Sequence, residues 1–269
     1  MFCRIGRSAA NNDRYAFMSV PTAAGRTTPY SISRLTHEFE LREHLDNEWA
    51  LRPLELVREH GQTMLVVDYP GGEWLDSFIG GSMEVGEFLR LAVTVSAALS
   101  RLHGRGLVHK DLKPANVLVN RQTCQVWLTG FGIASRLPRE RQVPEAPEFI
   151  AGTLAYMSPE QTGRMNRSID SRSDLYSLGV TLYEMLAGSL PFSASDPMEW
   201  VHCHIARQPL FPSEQLRNVP AAIVAIIIKL LAKTAEERYQ TAAAVASDLK
   251  HCLSDWQTTG RIENFVPGE

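Results

Sequence analysis

The sequence predicts an α+β fold in two unequal parts, strand-rich up to about residue 67 and mainly helical from about residue 73. Two observations carry this. Four short strand-like runs, interrupted by one helix-like run, precede Tyr69-Pro70-Gly71-Gly72, a cluster that breaks either periodicity. Beyond it, the longer runs repeat apolar residues at the three- and four-residue spacing of a helix buried along one face.

In order, residues 2–7 and 15–20 read as strands around the polar turn Ala10-Asn11-Asn12-Asp13. Ser33 or Thr36 is expected to cap a helix reaching about Leu45, with Leu35, Phe39 and Leu45 toward the core. Residues 51–57 and 63–68 read as strands around His60-Gly61-Gln62. Residues 85–102 place Phe88, Leu89, Ala92, Val95, Leu99 and Leu102 on one helical face. A strand is expected at 125–128, and helices at 174–187, 197–206, 221–233 and 241–256. The proline-rich residues 137–147 read as a loop, and 260–269 as a linker.

A length of 269 residues suits one two-lobed domain or two small ones. Hydrophobic content of 44%, charged content of 21% and a net charge of −3 describe a soluble globular chain, with no case for nucleic acid or an anionic membrane as partner. Cys3, Cys124, Cys203 and Cys252 form no C-x-x-C pair and read as free thiols in a reducing cytoplasm. His202-Cys203-His204 is not expected to bind metal, because alternate residues on a helix do not share a face. The N-terminus lacks a signal-peptide stretch, and apolar residues 223–231 are too few to span a bilayer. No lysine occurs before Lys110.

His109-Lys110-Asp111-Leu112-Lys113-Pro114-Ala115-Asn116-Val117-Leu118 sets a carboxylate, an ammonium and an amide at short fixed spacing. Such a set can meet a hydroxyl, neutralise a moving phosphoryl group and hold a metal on phosphates. Thr129-Gly130-Phe131-Gly132, Ser158-Pro159-Glu160, Asp174-Leu175-Tyr176-Ser177-Leu178-Gly179 and Glu236-Glu237-Arg238-Tyr239 follow in order. Together these resemble the H-R-D-x-K-x-x-N, D-F-G, A-P-E and later landmarks of eukaryotic-type serine/threonine protein kinases, over about residues 14–256. The resemblance implies an α+β, bilobal protein-kinase-like fold. It would comprise a small truncated β-rich N-lobe at about 1–67, a hinge at 68–72, a larger helical C-lobe at 73–258 and a linker at 259–269.

By the same resemblance, Asp111 accepts the proton of a serine or threonine hydroxyl, and Lys113 contacts the γ-phosphate. Lys113 and Thr153 together favour serine/threonine over tyrosine. Asn116 gives an oxygen to magnesium, and Leu118 packs beneath the adenine. Val67 is the gatekeeper, and Asp68, Tyr69 and Pro70 offer backbone groups to adenine. His109 and Phe131 stack in the spine joining the lobes, Asp174 holds the catalytic-loop backbone, and Glu160 pairs with Arg238. The implied cofactors are ATP and magnesium.

Three parts of that apparatus are missing. No G-x-G-x-x-G precedes the hinge, so the chain is expected to begin near the second strand, without the roof over the phosphates. The strand-three lysine is replaced by Met18 or Ser19, leaving its usual partner at Glu38; Arg14 or Arg26 could reach the phosphates, though neither holds the matching position. Gly130 stands where an aspartate chelates magnesium. One preorganised electrostatic contact is worth ~10²–10³ in rate, so transfer well below the ~1–100 s⁻¹ of kinases is expected. Magnesium is expected to add little to nucleotide affinity, and Gly130→Asp to restore its effect. The alternative is a catalytically inactive pseudokinase that relays signals by binding. Lys110 in place of the usual arginine, with Ser135 the sole acceptor in 133–151, argues against switching by loop phosphorylation.

Pro159-Glu160-Gln161-Thr162-Gly163-Arg164-Met165-Asn166-Arg167 is similar to a segment of large bacterial and fungal hybrid sensor histidine kinases. In those proteins a kinase-like domain precedes an ATPase domain, a GAF domain and a histidine kinase. Phe265-Val266-Pro267-Gly268-Glu269 is similar to the linker toward the ATPase domain. The implied partners are ATP and a protein substrate or signalling partner, with such downstream domains among them, and neither nucleic acid nor an inserted membrane.

Overall fold

Strands β1 (Phe2–Arg7), β2 (Arg14–Ser19), β3 (Pro53–Glu59) and β4 (Gln62–Asp68) form an antiparallel sheet in the order β1-β2-β4-β3. The structure is a computed structural model and describes residues 2–7, 14–19, 28–59, 62–81, 83–136, 153–164, 167–211, 219–263 and 265–268. The turns expected at 10–13 and 60–61, the loop at 137–147, and Arg26 lie outside the described residues. Helix α1 (Pro29–Glu40) packs Leu35 against Leu65 and Val67 of β4 in a small apolar cluster with Leu51, Tyr69, Leu118 and Trp127.

Helix α1 starts before the expected caps. The Thr28 hydroxyl accepts from Ser31 N at 3.1 Å, and Pro29 takes the first helical position, where its missing N–H has no intrahelical partner to lose. A 3₁₀ turn at Leu41–His44 carries the chain on to the buried Leu45. Strand β3 begins at Pro53, later than the apolar run suggests, because Ala50 and Leu51 pair elsewhere. Leu51 N donates to Leu128 O at 2.9 Å and Leu128 N to Trp49 O at 2.8 Å, which ties the small lobe to a second sheet.

That sheet has the order β5 (Glu73–Trp74), β7 (Val117–Asn120), β8 (Gln125–Leu128). Gly72 leads into it at φ +124°, where a Cβ would lie 2.6 Å from Val119 O, so the crossing between lobes requires glycine. A two-stranded ladder joins β6 (Leu107–Val108) to β9 (Ser135–Arg136).

The large lobe is built on α2 (Val85–Gly104), α3 (Ser171–Ala187), α4 (Pro197–Ala206), α5 (Ala221–Leu230) and α6 (Ala242–Thr259). The apolar face read in α2 is buried throughout, in one core with Leu175 and Leu182 of α3 and Ile223, Ile226 and Ile227 of α5. Helix α3 starts at Ser171 because Asp170 caps it, accepting from Arg172 N at 2.9 Å. Helix α5 stops at Leu230, short of the expected 233. Arg238 takes the carbonyls of Ala232 and Lys233, at 2.8 and 3.1 Å, which would otherwise be left open past the helix end. After Gly260 ends α6, Lys229 Nζ donates to Pro267 O at 2.6 Å and Gly268 N to Asp248 Oδ2 at 2.8 Å. Part of the expected linker thus lies against the large lobe. No helix among the described residues is long and apolar enough to cross a membrane.

Candidate functional site

The loop between β6 and β7 is fixed from beneath by Asp174, in the first turn of α3. Its carboxylate accepts from His109 N and Lys110 N, both at 2.8 Å, and lies 2.8 Å from His103 Nε2. Burial raises the Asp174 pKa, but His103 and these bonds outweigh it and the net shift is downward. Lys110 is held at φ +66°, an uncommon conformation for a residue with a Cβ. Its carbonyl accepts from the buried Gln161 amide at 2.8 Å. Asp111 N donates to His109 Nδ1 at 3.3 Å, so the His109 Nε2 proton goes to Thr129 O at 2.9 Å. Burial depresses the His109 pKa, as a neutral ring requires. Its ring lies 4.9 Å from that of Phe131, centroid to centroid.

Held this way, Asp111 carries four contacts on its carboxylate. Lys113 Nζ lies 3.2 Å from both oxygens, Thr153 Oγ1 donates to Oδ1 at 3.0 Å, and Arg34 Nη2 donates to Oδ2 at 3.2 Å. Lys113 Nζ also bonds Thr153 Oγ1. A carboxylate offers about four lone-pair sites, so none remains for an incoming hydroxyl until a partner leaves. Asn116 Nδ2 donates to Asp111 O at 2.7 Å, which leaves Oδ1 as its possible metal ligand.

Glu38 lies across the cleft on α1. Its Oε1 accepts from Gly130 N at 3.0 Å, while the buried Oε2 has no hydrogen-bond partner. Burial pushes the carboxyl pKa up to about 7, against the lowering effect of the Phe131 and Gly130 amides. One residue earlier, His37 Nε2 lies 2.7 Å from Ala134 O. Gly130 is at φ +81°, and a Cβ there would lie 2.7 Å from Asn116 Cγ. The expected repair by Gly130→Asp therefore meets a left-handed backbone and a filled space. A magnesium site fits these residues poorly, since one neutral amide oxygen faces a cation that favours carboxylates.

Val67 and Leu118 share the small apolar cluster and are fully covered. At the hinge, Asp68 N donates to Arg52 O at 3.3 Å, Asp68 Oδ2 accepts from Asn47 at 2.9 Å, and Tyr69 OH donates to Gly72 O at 2.7 Å. Away from the cleft, Arg238 meets Glu160 through two bonds of 2.8 and 2.9 Å, and Ser173 adds a third at 2.7 Å. Burial raises the Glu160 pKa, Arg238 lowers it further, and the net direction is down.

Asp111, Lys113, Asn116, Gly130 and Glu38 thus converge on one cleft; Glu160 and Arg238 stand apart as a buried pair. Sequence reasoning missed Arg34, His37 and Gln161. Arg34 lies four residues before Glu38, on the same helical face, so the α1 register held the signal. Gln161 gave no signal, since its role depends on where the backbone of Lys110 points.

A two-lobed cleft with these groups defines a phosphotransferase-like architecture. The protein kinase domain model matches residues 3–249, and the chain belongs to that family. It is similar to the serine/threonine-protein kinase PknB of Mycobacterium leprae, 35% identical over 187 residues, or 69% of this chain and 29% of that protein. It is also similar to PksC of Streptomyces coelicolor, 33% identical over 210 residues (76% and 37%), and to Pkn1 of Myxococcus xanthus, 34% over 194 residues (71% and 28%). The chain therefore spans about a third of the length of the curated relatives it matches.

Proposed function

We propose that the chain binds ATP in this cleft and transfers the γ-phosphoryl group slowly to serine or threonine hydroxyls of a protein. The observation that supports this best is the Asp111 constellation. The base, Lys113 and Thr153 lie within hydrogen-bonding range of one another, on a loop that Asp174 holds by two backbone amides. Asp111 would orient the hydroxyl and accept its proton, and Lys113 would offset charge on the γ-phosphate. The relatives, each named a serine/threonine-protein kinase, support the same acceptor chemistry.

Transfer is slow because Gly130 offers no metal ligand and Glu38 has no lysine beside it. A binding-only relay is the second reading, favoured by the four occupied positions on Asp111. In either case the similarity of residues 159–167 supports a cytoplasmic module of a longer sensor protein, with ATPase or histidine kinase domains as partners. The test is phosphoryl transfer from labelled ATP to a mixed protein acceptor, with phosphosites mapped. Slow labelling of serine and threonine, lost in Asp111→Ala, is expected. Bound ATP without any transfer would leave the relay reading standing, and labelling that survives Asp111→Ala would remove Asp111 from the chemistry.

A further inference from the structure

Among the described residues the cleft holds an excess of positive charge. Arg34 and Lys113 both reach the single carboxylate of Asp111, each at 3.2 Å. Gly130 adds no negative charge, and Glu38, the other acid at hand, is held toward its neutral form by burial. Two cations share that one carboxylate, and Glu38, with its pKa at about 7 even beside Arg34, offsets only part of the second charge, so net positive charge faces a site without a metal-binding aspartate. That is the charge pattern of a site that neutralises an anion with protein groups.

Arg34 is positioned for such a role. It lies one helical turn before Glu38 on α1, so the helix that brings Glu38 to Gly130 also brings Arg34 over Asp111. Gly132 permits that approach: a Cβ there would fall 2.9 Å from Arg34 Cβ. The guanidinium makes one contact at 3.2 Å with Asp111 and its side chain remains 25% exposed, so it uses little of its five-donor fork. A phosphate presents three oxygens and can engage that fork in two parallel bonds, which a lysine cannot match.

We propose that Arg34 is the cation that holds the nucleotide's terminal phosphates, in place of the absent strand lysine, and that it exchanges its contact with Asp111 for one with phosphate. Phosphate binding would draw Arg34 off Asp111 and free a lone pair for the substrate hydroxyl. One residue would then couple nucleotide arrival to exposure of the base. This rests on the nucleotide-binding reading above, and the test separates the two.

Binding of ATP and of adenosine is measured by calorimetry in EDTA, for the parent chain, Arg34→Ala, Arg34→Gln and Asp111→Asn. The parent should bind ATP more tightly than adenosine. Both Arg34 variants should lose roughly 10- to 100-fold in ATP affinity, the range of hydrogen bonds to charged groups, with adenosine unchanged. Asp111→Asn should bind ATP more tightly than the parent, because it releases Arg34 and removes a repulsive charge. If the parent binds neither ligand, the nucleotide reading itself fails. Should it favour ATP while both Arg34 variants bind ATP as well as the parent or better, Arg34 is only a plug over Asp111 and the inference is overturned. Equal loss of adenosine and ATP in both variants would assign Arg34 a structural role and overturn it too.

Discussion

Three buried carboxylates show how differently the large lobe and the small-lobe side of the cleft are built. Asp174 is met by two backbone amides and His103, and Glu160 by both arms of Arg238 and by Ser173. Glu38, equally buried, accepts from Gly130 N on one oxygen, with the Phe131 amide also acting on it, and has no hydrogen-bond partner on the other. Burial acts on all three in the same direction, toward the neutral acid. In the large lobe the partners overcome it and the pKa falls. On the small-lobe side they do not, and Glu38 rises to about 7. The scaffold beneath the loop that carries Asp111 keeps its charges matched, whereas on the small-lobe side Glu38 is buried in a lobe that has no lysine before Lys110.

The sharpest way to break this comparison is at Glu160 and Arg238. Arg238 also caps the carbonyls of Arg172, Ala232 and Lys233, so its removal strips a buried acid and a helix end together. Arg238→Ala should cost about 3–5 kcal/mol, the range for breaking one side of a buried pair. Urea unfolding measures it, with the Glu160→Gln/Arg238→Ala double variant as a second arm. The double variant should recover part of the loss, because no charge is then buried alone. A single variant as stable as the parent would mean that the pair holds nothing in place.

Glu38 should show the opposite behaviour, as a pH effect. Its folded pKa lies above the unfolded value, so the folded state binds more proton between about pH 4.5 and 7. Stability from this group is full below pH 4.5 and is lost as pH rises through 7. The shift sets an upper bound of about 3 kcal/mol. Glu38→Gln should remove that slope, read as melting temperature against pH. An unchanged slope would mean that Glu38 is not the titrating group.

The pattern of legibility follows the same division. Strand β1, helix α4 and the apolar face of α2 were readable because local periodicity and punctuation decide them. Asp111, Lys113, Asn116 and Gly130 were readable as neighbours through the resemblance that the ordered motifs at 109–118 and 129–132 carry. The end of α5 was not, since the apolar run continues through Leu231 and Ala232 while the turn beyond Leu230 is held by Arg238 through the carbonyls of Ala232 and Lys233. The start of β3 was lost for a similar reason, because Leu51 pairs with Leu128 across the lobe boundary. Arg34 stayed hidden because an arginine on a helix face is ordinary until the fold sets a carboxylate 3.2 Å away.

Gly130 gives the smallest expected effects and the finest test of the contrast. Its φ of +81° and the 2.7 Å approach of a Cβ to Asn116 mean that any side chain here displaces an amide bonded to Asp111 O. Gly130→Asp should therefore cost about 1–3 kcal/mol, the range for backbone strain at such positions. Magnesium should change ATP affinity less than about twofold in the parent, because the neutral Asn116 oxygen competes weakly with water for this cation. The same indifference is expected in Gly130→Asp, since the new carboxylate and Asn116 cannot share the space. ATP titrations with and without magnesium decide it. If Gly130→Asp gains a magnesium response, Asn116 can swing aside and the metal site lacks one carboxylate rather than the room to hold it. The mismatch in the cleft would then lie in single residues and not in its packing, and adding a lysine opposite Glu38 would be the next change to make.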